Sequence, residues 1–535
     1  MTRYKYLVLP LMLVVAATSC KKSAFVKDNI NPGTLQTVDP GAQFEYACAH
    51  TPNDNEAFYD FYRDIMPWLQ YTTEGGGNVA GFESPASSHF NNRYNNFYTN
   101  VGLALSDVPY LVKALDSAER PGRVYELAIA SIFKAYYAWY VSDISGDIPY
   151  SQAFEARYGG TLTPVYDVQQ NLFDSLDLQV KTAVATLESS PTATQVLYGA
   201  DDLFFGSSGN ETMAWIKAGN ALRLKMATRL MKANPTGMTT IVQEVLADPN
   251  QMSSNTDSWV LEVGPNYADW QGNYNPSGFL ASRSMVNFMN QYSDPREPVF
   301  YRLNSNGNYV GGTASPDSAA TPYWKAIYKA ADTPVSLLQH RLWTPNYNEA
   351  DGYGLGTGNG YFPILTYPEY CFIRADLGAR GYTTDNAGNW YTAGVTASIQ
   401  EYDAWASAAG VTHYVPVTAG QISTYLGLPG ITFNAARATE QIACQAYIEF
   451  FKQPAEGWAW WKRTGYPTTT SVLAWEPLID NGTAATIARR APLVPLPSSD
   501  ANYANQQAAF KDMSSSPNWG ATPDNSFGRV WWDMP

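Results

Sequence analysis

Trp215-Ile-Lys-Ala-Gly-Asn-Ala-Leu-Arg-Leu-Lys225 carries the pattern from which the fold is read. Trp215, Ala218, Leu222 and Met226 recur at steps of three and four, which lays an apolar stripe along a helix from about Thr212 to Met231. Ile216, Ala227 and Leu230 widen the stripe, and Lys217, Arg223, Lys225 and Arg229 decorate it. The same period appears upstream in Val124, Leu127, Ala128, Ser131 and Ala135, and again in Leu172, Leu176, Val180, Ala183, Val184 and Leu187. Downstream, Pro368-Glu369 opens a helix continuing through Tyr370, Ile373 and Leu377, since proline is tolerated where the first-turn N–H has no partner. A further helix holds Ala443, Ala446, Tyr447 and Phe450. The expectation is a mainly α fold of tetratricopeptide-like helix pairs, although no strict 34-residue repeat is present. Between about 232 and 365 the chain reads as irregular, rich in Asn, Gly, Pro and aromatic residues, and long loops of that kind are usually functional.

The N-terminus reads as a secretory leader. Arg3 and Lys5 precede an apolar run from Leu7 to Ala17, followed by small residues and Cys20. Eleven apolar residues fall short of the roughly 20 that span a bilayer. Ala17-Thr18-Ser19-Cys20 resembles a lipobox, which makes Cys20 the lipidated residue of the mature chain. The expected organisation is residues 1–19 as signal peptide, 20–40 as lipidated cysteine and polar tether, and 41–535 as one large domain.

The formal charge is −14 and removing the leader takes away only basic residues, which argues against nucleic acid as a partner. Cys48, Cys371 and Cys444 have no metal-like spacing and read as buried free thiols. His50, His89, His340 and His413 are scattered, with neither a zinc motif nor a nucleophile–base pattern. Gly354-Leu-Gly-Thr-Gly-Asn-Gly360 lacks the Gly-Lys-Ser/Thr ending of a phosphate loop and reads as a surface loop. Glu74, Glu83, Asp107, Asp143 and Asp147 are carboxylates that a glycoside hydrolase could use, but each reads as a cap, turn or solvated charge. Asp143 and Asp147 read as turn formers just past a helix end. No catalytic constellation and no cofactor motif is found, and the sequence leaves a structural calcium open.

Aromatic residues make up 14% of the chain and charged residues only 15%, a balance suited to stacking on neutral ligands. Trp458, Trp460, Trp461, Trp531 and Trp532 lie beside helical stretches and read as packing. Trp68, Tyr71 and Tyr94 lie instead in a segment interrupted by Gly75-Gly76-Gly77 and dotted with asparagines including Asn78, while Trp270 and Tyr274 sit in the irregular region. These six, Trp68, Tyr71, Asn78, Tyr94, Trp270 and Tyr274, are the candidate ligand residues, rings for a sugar's apolar face and amides for its hydroxyls.

Six further stretches occur in a telling order: Ser145-Gly-Asp-Ile-Pro-Tyr-Ser151, the Trp215–Lys225 stretch, Ser293-Asp-Pro-Arg296, Leu365-Thr-Tyr-Pro-Glu-Tyr370, Glu456-Gly-Trp-Ala-Trp-Trp-Lys-Arg-Thr-Gly-Tyr-Pro467 and Arg529-Val-Trp-Trp-Asp533. Together they resemble the SusD/RagB family of nutrient-binding outer-membrane lipoproteins, in its second SusD-like branch. The resemblance implies a helix-pair scaffold with a ligand face built from intervening loops and no catalytic residue. It implies a lipid-anchored protein facing the cell exterior, which passes an oligosaccharide, or alternatively a peptide, to a SusC-like TonB-dependent outer-membrane barrel. A lipid-anchored glycoside hydrolase is the third alternative.

Overall fold

The computed structural model describes residues 38–74, 89–264, 276, 278–330, 334–343, 359–411 and 414–535. Its framework is helical. Helix α1 (Pro40–Ala49) packs on α2 (Gly102–Ala114), and α3 (Val124–Ser145), α4 (Gln169–Glu188), α5 (Glu211–Ala233) and α6 (Pro235–Ala247) each pack on the next in order. Helix α7 (Tyr367–Ala379) packs on α8 (Ala387–Ala408) and α9 (Ala438–Glu449), and α10 (Pro454–Thr464) packs on α9. The helix-pair reading is borne out. Helix α5 starts where Asn210 accepts a hydrogen bond from the Met213 N–H at 3.0 Å. It approaches α4 closely because Gly219 has no Cβ, and one built there would lie 2.5 Å from the Val184 side chain. Among the described residues no helix is long and apolar enough to cross a membrane.

The stretch read as irregular holds more order than expected. Helix α6 lies inside it, with Pro235 in its first turn and the Asn234 side chain accepting from the Gly237 N–H at 3.0 Å. Two short antiparallel ribbons also form: β1 (Thr72–Thr73) pairs with β3 (Leu280–Ala281), and β2 (Trp259–Val263) pairs with β4 (Gly360–Leu365), with a bulge between Trp259 and Val260.

The aromatic core is continuous. Trp215 of α5 meets Trp259 at 4.9 Å between ring centroids, and Trp259 meets Tyr136 at 5.2 Å and Phe133 at 5.9 Å. Trp458 and Trp460 lie within α10, both buried, and the Trp458 indole N–H donates to the Ala488 carbonyl. The Trp532 indole N–H donates to the Asp143 carbonyl at 2.9 Å, so these rings pack as expected. Cys48, Cys371 and Cys444 are buried free thiols.

Several basic residues of α5 depart from the expectation. Rather than decorating a surface, Arg223, Lys225 and Arg229 are buried. Arg229 bonds Asp143 at 2.9 Å and Glu456 at 2.8 Å, Lys225 meets Glu369 at 3.0 Å and Glu456 at 3.3 Å, and Arg223 meets Asp177 at 2.8 Å. Asp143 is therefore the ion-pair partner of a buried arginine inside the last turn of α3, not a turn former beyond it. Asp147 does lie past the helix end and accepts from the Gln169 N–H at 2.8 Å. The Asp-Pro-Arg stretch is a second buried clamp: Arg296 holds Asp294 at 2.7 Å and reaches Ser398 on α8 and Gln445 on α9.

Candidate ligand-binding site

The two ribbons gather chain ends that are far apart in sequence. Thr73 pairs with Leu280, which sets residue 74 beside Phe279, and Val263 pairs with Gly360, which sets residue 264 beside residue 359. Trp343 stands 5.2 Å from Tyr62, and Tyr62 stands 5.4 Å from Phe279. His89 is tied to the same region by Asp64 at 2.7 Å. The described residues at 74, 89, 279 and 343, at least one end of each of the stretches 75–88, 265–275 and 344–358, thus gather on the face around Glu56–Ile65, while 264 and 359 lie side by side at the end of the β2–β4 ribbon.

Beneath that face lies a cavity of about 100 Å³ walled by Phe61, Tyr136, Tyr140, Trp343 and Phe362. One wall is Glu56–Ile65, wound as a π-helix, a form frequent at functional sites. Glu56 at its start is held by Arg93 at 2.8 Å and by the Tyr140 hydroxyl, which donates at 2.6 Å. Four of the lining residues each hold a buried polar atom with no hydrogen-bond partner among the described residues: Trp139 Nε1, Trp343 Nε1, Gln453 Oε1 and Glu456 Oε1. Apolar rings with a few convergent unsatisfied polar atoms are the usual make-up of a small-ligand pocket. Lys452 completes the lining; burial lowers its ammonium to about 7. The Arg229 and Lys225 charges hold the Glu456 carboxyl down to about 2 against its burial.

A second, more open cavity of about 520 Å³ lies across the β2–β4 ribbon. Glu262 and Tyr361, opposite one another in the ribbon, face it, whereas Phe362, next along the strand, faces the first cavity. Among the described residues no group of three or more His, Cys, Asp or Glu is arranged to hold a metal ion.

The sequence-derived site residues divide. Trp68 is 0% exposed, stacked on Phe90 at 5.5 Å and against Trp458 at 5.5 Å. Tyr71 is also 0% exposed, stacked on Tyr447 at 4.2 Å with its hydroxyl donating to the Tyr447 carbonyl. Neither ring has a face to offer a ligand; both are core. Tyr94 is half-buried against Tyr98 at 4.5 Å and takes no part in the cavity lining. Asn78, Trp270, Tyr274 and Cys20 lie outside the described residues, the first three in stretches that each have an end at the candidate face. Of the carboxylates, Asp107 bonds Arg157 and the Tyr158 hydroxyl, and Glu83 lies outside the described residues. Sequence reading missed Glu56, Tyr140, Trp343, Phe362 and Lys452. Only Lys452 carried a signal, as the one basic residue closing the run Tyr447-Ile-Glu-Phe-Phe.

Comparison with known proteins bears on this arrangement. Residues 33–484 match the model of the second SusD-like family, described as starch-binding and associating with the outer membrane. The chain belongs to the SusD-like family. Solved structures similar to this SusD-like protein include a chitin-binding protein at 20% identity and TM-score 0.70, covering 93% of this chain and 100% of the other. A SusD homologue from Bacteroides fragilis matches at 20% identity and TM-score 0.66, covering 93% and 99%. A chitin-binding SusD homologue from Flavobacterium johnsoniae matches at 19% identity and TM-score 0.66, covering 92% and 97%. A search of curated proteins finds no match. The SusD-like fold and family are thus shown, and the family's character supports carbohydrate binding.

Proposed function

We propose that this SusD-like protein binds an oligosaccharide at the face where the three segment ends converge, performs no chemistry on it, and passes it to a SusC-like TonB-dependent outer-membrane barrel. The observation that carries the reading is the cavity at that face, ring-walled and lined by residues with unpartnered indole, amide and carboxylate atoms. Rings cover the apolar face of a pyranose at about 25 cal/mol per Å² buried, and polar atoms replace water at its hydroxyls. Asn78, Trp270 and Tyr274, which lie outside the described residues, are proposed as further amide and ring contacts. Residues 41–535 form the binding domain, 20–40 the tether and 1–19 the leader, with lipid on Cys20 and the domain facing outward.

Two experiments test the reading. A glycan array finds the ligand, and calorimetry then compares wild type with Trp270→Ala and Tyr274→Ala. Each substitution is expected to weaken binding by roughly tenfold to a hundredfold, the loss for a fully contacting ring, with no sugar hydrolysed. Wild-type affinity in both folded variants, or glycan turnover by homogeneous protein, contradicts the reading. For the anchor, Cys20→Ala removes the thiol that accepts the acyl chains, each worth about 0.8 kcal/mol per buried methylene. The variant is expected to leave the outer-membrane fraction on cell fractionation; full retention refutes lipidation at Cys20.

A further inference from the structure

Among the buried cations, Arg93, Arg223, Lys225, Arg229, Arg296 and Arg463 each meet a carboxylate, whereas no ion pair reaches Lys452, Lys462 or Arg490 among the described residues; of these three, only Lys452 lines the first cavity. Its residue is 5% exposed at the cavity wall, just past the end of α9. Its Nζ donates to the Leu342 carbonyl at 2.5 Å and lies 4.5 Å from the centroid of Trp343 and 5.5 Å from that of Phe362. An ammonium has three donors, and one carbonyl with two ring faces leaves donor capacity unused. The carboxylates that share the lining are committed elsewhere: Glu56 to Arg93, Asp143 to Arg229, and Glu456 to Arg229 and Lys225. A buried cation without a counter-ion is costly, and the cost is removed when an anion enters beside it. Burial also lowers this ammonium, which is the consequence of the same isolation.

We infer that Lys452 forms an anion subsite in the cavity, which takes the carboxylate of an acidic sugar, a uronate, within the bound oligosaccharide. The inference rests on the glycan-binding reading and narrows it to a ligand class. Two residues that share the lining with Lys452 hold spare hydrogen-bonding groups among the described residues, Trp343 Nε1 as a donor and Gln453 Oε1 as an acceptor.

The test uses the mature protein on an array of neutral and uronate-bearing oligosaccharides, trigalacturonate and its methyl ester among them, followed by calorimetry on the best acidic ligand and its neutral counterpart. Wild type is expected to bind the acidic form about tenfold or more tightly than the neutral one, the scale of a charge-assisted hydrogen bond in a desolvated site. Lys452→Met is expected to abolish that preference, and Lys452→Arg to keep it. Lys452→Met is also expected to fold with a melting temperature at or above that of wild type, because it deletes a desolvated charge. Equal binding of acidic and neutral forms by wild type, or an acid preference that survives in Lys452→Met, overturns the inference and leaves the glycan reading standing. Absence of binding to every glycan overturns both.

Discussion

Arg229→Met is expected to destabilise the protein by roughly 3–5 kcal/mol, because it strands two buried carboxylates at once. Arg229 is 1% exposed, bonds Asp143 and Glu456, and lies between Trp139 and Trp532 at 5.0 and 5.2 Å from their ring centroids. Methionine fills much of the space but returns neither charge nor donors. The comparison is Arg437→Met, which removes an i,i+3 pair with Glu440 whose arginine side chain is 45% exposed, so that solvent screens it and its loss is expected to be small. Denaturant midpoints of the two variants give the answer, and equal losses would refute the idea that the cluster joins α3, α5 and α10. The same cluster sets an acid limit. Glu456 is held down to about 2, below its ordinary carboxyl value, so its contribution is complete above the unfolded value near 4.5 and drains away as the pH falls towards 2.

Trp68→Ala is expected to cost roughly 3–5 kcal/mol, the range for a large aromatic removed from a packed core. The ring is enclosed by Phe90 and Trp458, so deletion leaves a cavity that helix α10 cannot collapse into without moving Trp458. Glycan affinity, measured below the variant's unfolding transition, is expected to stay within about twofold of wild type. A variant of full stability with lost binding would return Trp68 to the ligand face.

The contrast between these residues and their sequence reading has a physical source. The helices at 124–145, 169–188 and 211–233 were legible because their stripes repeat at three and four residues within one element. Helix α8 was not read, because its Gly388 and Gly394 and its Thr and Asn residues blur the period; the ring of Phe372 on α7 lies against Gly394. Trp68 and Tyr71 looked like loop residues because glycines and asparagines follow them. Their burial depends on partners about 370–390 residues away, Tyr447 and Trp458, and no local window contains these. Lys225 and Arg229 looked like solvent charges for the same reason, since Asp143, Glu369 and Glu456 come from other helices. The site's whereabouts were half legible. The segments carrying Asn78, Trp270 and Tyr274 stood out by composition, while the pairing of Thr73 with Leu280 and of Val263 with Gly360 that gathers their ends is long-range strand pairing.

The β2–β4 ribbon has one more property, which follows from its being a partition with a different residue on each side. Its phase is fixed by the bulge between Trp259 and Val260, and along the facing strand Tyr361 and Phe362 address opposite chambers. Alternation in a strand has a period of two, so loss or gain of one residue between Phe362 and that bulge exchanges the two addresses. A phenol would then replace a phenyl in the enclosed chamber, and the reverse in the open one, with no helix altered. A single-codon slip in six residues of ribbon therefore changes the lining of both chambers on an unchanged scaffold.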